Sequence, residues 1–190
     1  MKNIRAITFI ALLVSNQFAF SQTETDTIAI QNELNAIFER DQYIRKSDDS
    51  AQFRTMIDSS NLSNVEALIA KYGWPGKSFV GARGNYTVWL VIQHAELETQ
   101  EKYLPLFEKS VADSESRAID LAYLKDRVLM RQNKNQIYGT QVWMNSATGL
   151  QEFWPIEDEK NVNARRASLG MSPIEEYAQL FGIDYKSTAK

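Results

Sequence analysis

The sequence predicts a mainly α-helical domain of the α+β class: six or seven helices in one compact unit with a small β-hairpin at its side. Three observations carry this. Apolar residues recur at helical spacing through most of the chain, as in Ile30, Leu34, Ile37, Phe38 and Ile44. Period-two patterning is confined to one stretch near residues 136–156, interrupted by turn residues at 145–149. The chain of 190 residues is 44% hydrophobic and 11% aromatic, enough for one real core, and it shows no repeat, linker or low-complexity tract.

The N-terminus has Lys2 and Arg5, an apolar run over residues 6–14, and the small residues Ala19 and Ser21 before Gln22. This pattern predicts a secretory signal peptide over residues 1–21 and a single domain over 22–190, exported to a periplasmic or extracellular location. The run is shorter than the roughly 20 apolar residues a membrane span needs, and no later segment reaches that length. With no cysteine, packing alone must hold the domain. Without Lys2 and Arg5 the chain keeps 19 basic against 24 acidic residues, a net charge of −5, which argues against nucleic acid as a partner. No pattern speaks to oligomeric state.

Taken in order, Asp26 is placed to cap a helix bearing the Ile30 to Ile44 stripe, with a shorter helix around Phe53, Met56 and Ile57. Ser63 and Glu66 form a capping box for the next helix, which carries Val65, Leu68, Ile69 and Tyr72 and ends at Gly73. Residues 73–84 read as the longest irregular segment. Gly76, Lys77 and Ser78 resemble the end of a phosphate-binding loop, but Lys71 stands where that loop needs glycine and a helix precedes it, so the motif is rejected. Trp74 and Pro75 instead read as a rigid wall over the core. The unbroken apolar run 88–92 predicts a central, buried helix. His94, the only histidine, falls four after Leu90 and three after Val91 and so points inward. His94 and Glu98 are too few for a metal site, and no metal or cofactor is expected. Residues 99–111 form an amphipathic segment that Pro105 starts or kinks.

The helix over residues 116–130 carries two apolar stripes, Leu121, Leu124 and Val128 beside Ile119, Tyr123 and Met130, and Asp126 lies within the second. A carboxylate there needs a partner or a shifted pKa. The following strand places Gln136, Tyr138 and Thr140 on one face, a polar surface that is either a ligand wall or simply wet. After the turn, residues 150–156 return antiparallel, limited to an edge by Pro155. Asn161 is placed to cap a short helix with Arg165 and Arg166, ended by Gly170, and Ser172, Pro173 and Glu175 box the last helix. The two arginines are either surface ion pairs with 157–159, or one of them is a fork for a carboxylate on a ligand or on Asp126.

The steps Gln93-His94-Ala95, AYLKDRV around Asp126 and Arg127, QIYGTQ from Gln136 to Gln141, PIED ending at Asp158, and Arg165-Arg166 followed by Leu169-Gly170 together resemble a bacterial family, domain of unknown function 6624. The resemblance covers roughly residues 62–177, with the N-terminal helices outside it, and Glu96 stands where the family pattern suggests aspartate. It implies which residues to test and names no reaction.

Two functional readings follow. In the first, the chain is a hydrolase or lyase in which His94 is the general acid or base and Asp126 its orienting partner. Arg127, Gln136, Tyr138, Thr140, Gln141, Asp158, Arg165 and Arg166 then bind a small molecule or peptide. In the second, the same groups are the ligand shell of a non-catalytic, immunity-type binding protein. A third account, a sealed structural network, predicts that these groups satisfy one another.

Overall fold

The computed structural model describes residues 4–185, with side chains from Thr25 onward, so the side chains of the expected leader over residues 1–21 lie outside the described residues. Among the described residues, seven helices and one two-stranded antiparallel sheet make a mainly α domain. Helices α1 (Ile4–Lys46), α2 (Ala51–Tyr72), α4 (Leu97–Ala112) and α5 (Ala118–Arg131) all pack against α3 (Lys77–His94), which therefore occupies the centre. Every residue from Thr87 to Gln93 is buried, as a run apolar on all sides requires. Gly84 sits in the α1 interface, where an added Cβ would lie 3.1 Å from Leu34 Cδ1. A larger residue would push the two helices apart.

Several local expectations are corrected. Asp26 lies inside α1 and caps nothing there. The two helices expected between residues 53 and 73 are one, because Ser50, accepting from the Phe53 amide, supplies the N-cap and nothing breaks the chain before Gly73. Ser63 is exposed, and Glu66 reaches across to Lys102 and Tyr103 instead of closing a box. The irregular 73–84 segment is largely helical: α3 starts at Lys77 and kinks at Gly81, whose φ of 74° is a left-handed value open to glycine. Trp74 does pack on the core, stacked on Phe107 at 4.4 Å.

The hairpin is shorter than expected. Strand β1 (Val142–Met144) pairs antiparallel with β2 (Gln151–Phe153), with Trp143 opposite Glu152. Residues 136–141, expected as strand, are a loop whose one β-bridge is parallel, from Gln136 to Ile156. Helix α6 (Val162–Ser168) follows a 3-10 turn, and α7 (Ile174–Gln179) completes the described fold. Neither Asn161 nor Ser172 caps by its side chain; Asn163 Oδ1 accepts from the Ile174 amide in the latter's place. Among the described residues no helix is long and apolar enough to cross a membrane.

Candidate functional site

Asp126 explains the 136–141 loop. The carboxylate is fully buried on α5. Its oxygens accept from the amides of Ile137 (2.7 Å), Tyr138 (3.1 Å) and Thr140 (3.0 Å), and from Thr140 Oγ1 (3.0 Å). The loop curls round the anion because Gly139 takes φ 68°, turning successive N–H groups the same way. Its carbonyls then face outward to cations. Arg165 Nε donates to Ile137 O at 2.8 Å, and Arg166 Nη1 donates to Tyr138 O at 2.9 Å. Arg166, 1% exposed, also donates from Nε to Ser172 O and stacks over the Tyr177 ring. Peptide dipoles thus run from a buried anion to two arginines. Burial pushes the Asp126 carboxyl upward, against the opposing pull of these donors.

The remaining polar groups read from the sequence join this network. Gln136 donates from Nε2 to Gln141 O and Trp154 O and accepts from the Gln141 amide, imitating a strand ladder with a side chain. Tyr138 contributes its backbone amide and carbonyl, while Thr140 and Gln141 are buried and bonded to each other. Asp158 accepts from Arg165 at the edge. The fork reading of Arg165 and Arg166 is corrected in its target: both bind loop carbonyls, with Asp126 on the loop's far side. Asp126 and its neighbours therefore behave as the sealed-network account requires.

His94 lies elsewhere, at the C-terminus of α3, where the last carbonyls lack helical partners. Gln100 Nε2 donates to Gln93 O at 2.9 Å, Arg127 Nη1 reaches the same oxygen at 3.4 Å, and Arg131 Nη1 donates to Ala95 O at 2.5 Å. Cations at a helix C-terminus also complement its dipole. Burial lowers the Arg127 pKa, and neighbouring Arg131 adds to this. The carbonyls of Gln93 and Ala95, the residues flanking His94, are thus clamped from α4 and α5.

The carboxylate beside the imidazole is Asp41 of α1, with Nδ1 3.0 Å from Asp41 Oδ1. Asp126 is committed to the loop, so the expected pairing with His94 is replaced by this one. Arg45 Nη2 stands 3.2 Å from Asp41 Oδ1, 2.5 Å from Asp58 Oδ1 and 3.0 Å from His94 Nδ1. Burial alone would lift the Asp41 carboxyl. The His94 hydrogen bond and charge, with Arg45 behind them, outweigh it and hold Asp41 below the ordinary carboxylate range. A pocket of about 180 Å³ opens beside the pair, between α1, α2 and the end of α3. His94, Asp41, Asp58, Asn61, Thr55, Ser59 and Glu96 supply its polar lining, and Leu62 and Val91 part of its apolar wall. Of the site residues read from the sequence, only His94 lines it.

Asp41 and Asn61 escaped the sequence reading although a signal existed. Leu34, Ile37, Asp41 and Ile44 lie on one helical stripe, as do Asn61, Val65 and Ile69, and all are buried. A polar residue within an apolar stripe singled out Asp126 and could have singled out these two. Among the described residues no group of three or more His, Cys, Asp or Glu side chains is arranged to hold a metal ion.

Fold and pocket together define a small helical domain with a half-buried His–Asp pair. Residues 28–190 match the Family of unknown function (DUF6624), and the chain belongs to that family. The match begins within α1, well before the 62–177 span of the motifs, and so includes Asp41. No curated protein and no solved structure matches the chain.

Proposed function

We propose that the chain is an exported hydrolase or lyase that transfers protons through His94 to or from a small molecule in the α1–α2–α3 pocket. The single supporting observation is the Nδ1 to Asp41 contact at 3.0 Å on the wall of that pocket. With Nδ1–H donating to a buried carboxylate, the neutral ring carries its lone pair on Nε2, the atom a general base uses. Asp41 orients the ring and stabilises the imidazolium formed when Nε2 takes a proton from water or substrate. The clamps on Gln93 O and Ala95 O keep the ring's backbone in place. Export is supported by the leader pattern of residues 1–21.

One contact favours the binding-protein reading. Arg45 Nη2 is 3.0 Å from Nδ1, and if it donates there the proton sits on Nε2, making His94 a hydrogen-bond donor to a ligand. Because this is the only histidine, its ¹⁵N resonances need no assignment by mutation. Long-range ¹H–¹⁵N spectra of the neutral ring are expected to show the Nδ1–H tautomer and to shift toward Nε2–H in Asp41→Asn. A wild-type ring in the Nε2–H form overturns the catalytic reading in favour of binding. For a substrate found by screening, Asp41→Asn is expected to lower kcat by about 10²-fold or more.

A further inference from the structure

Asn61 carries an unfinished hydrogen bond in this pocket. It is 1% exposed on the buried stripe of α2, and it lines the cavity. Its Oδ1 accepts from Arg40 Nε at 3.3 Å, which fixes the orientation of the amide and leaves Nδ2 as the other end. Nδ2 is buried without a partner. Buried donors in folded proteins are almost always paired, so an unpaired one beside a cavity marks where an acceptor belongs. The charge of the pocket narrows that acceptor. Asp41, Asp58 and Glu96 all line it, and the two guanidiniums beside it are already engaged, Arg45 shared between Asp41 and Asp58 and Arg40 bound to Asn61 Oδ1. Three carboxylates against two guanidiniums leave the lining net negative, so a carboxylate or phosphate entering the pocket is disfavoured.

We infer that Asn61 is a ligand-binding residue whose Nδ2 donates to the carbonyl oxygen of a small neutral or cationic amide or ester. The inference rests on the preceding reading for the role of His94, and it adds the substrate class. Carbonyl polarisation by Asn61 and proton transfer by His94 are complementary parts of an acyl-group hydrolysis. A water gives its proton to Nε2 as its oxygen attacks the carbonyl carbon, and His94 returns that proton to the departing amine or alcohol.

The test is an NMR titration of the ¹⁵N-labelled protein with N-methylacetamide, and separately with acetate. N-methylacetamide is expected to shift the Asn61 side-chain NH₂ pair and the His94 ring saturably, with acetate binding about tenfold more weakly or not at all. Asn61→Asp, which puts an acceptor where the donor was, is expected to weaken N-methylacetamide by about tenfold. The wild-type titration decides the matter if that variant does not fold. Unshifted Asn61 resonances at saturating probe overturn the inference, and so does acetate binding as tightly. The His94 tautomer, read in the same samples, separates the two ideas. An Nε2–H ring with shifted Asn61 keeps the carbonyl site and removes catalysis, whereas an Nδ1–H ring with silent Asn61 does the reverse.

Discussion

Asp126 shows what a single side chain can organise. Three backbone amides and a hydroxyl converge on it, and each would be left buried and unpaired by truncation. Asp126→Ala is therefore expected to cost more than about 3 kcal/mol in denaturant unfolding. Asp126→Asn, which puts an NH₂ group among donors, should cost about 2 kcal/mol. A loss under about 0.5 kcal/mol for either would refute the sealed network. Gly139→Ala tests the turn independently. Its φ of 68° disfavours any Cβ, and the added atom would sit 2.4 Å from Ile174 Cδ1. Thermal melts should show about 2 kcal/mol or more of destabilisation. The burial of Asp126 was legible from its place between Tyr123 and Met130. Its partners were not, because a polar strand and a loop wrapped around an anion share the same letters, Gln136 to Gln141.

At the scale of elements, the helices follow their apolar stripes closely and their ends follow longer-range demands. The capping box at Ser63 fails because Ser50 has already started α2 and Glu66 finds Lys102 and Tyr103 on α4. Pro105 sits inside α4 and does not start it. The end of α3 is the consequential case, since its free carbonyls are taken by Gln100, Arg127 and Arg131. Arg131→Ala is expected to move the His94 ring resonances while costing less than about 1 kcal/mol, because the side chain lies near the surface. A large stability loss with an unmoved His94 would mean that the contact braces the core and does not position the ring.

Across the whole molecule, two buried carboxyls bias stability in opposite directions. Asp41 is held below its ordinary range in the fold, so its contribution is present above its unfolded pKa of about 3.8 and is lost as pH falls through the lower folded value. Asp120, on the buried stripe of α5 with Leu124 and Val128, is pushed up to about 6 by burial, against the pull of Arg117. Its folded form binds the proton more tightly, so stability should fall as pH rises from about 4 through about 6. Asp120→Asn is expected to flatten that slope and to stabilise the protein at pH 7 by about 1–3 kcal/mol, measured by urea unfolding at several pH values. An unchanged slope would show that Asp120 is ionised in the fold without penalty. The sequence by itself determined the helical class, the central position of α3, the hairpin and the burial of Asp126, because hydrophobic periodicity is a local property that burial must follow. Only the tertiary structure decided which buried carboxylate met His94. Asp41 lies 53 residues away on a stripe that looks like packing, and the packing of α1 against α3 brings it there. Charges in an interior pair by proximity after the helices dock, and helix periodicity holds no record of that docking.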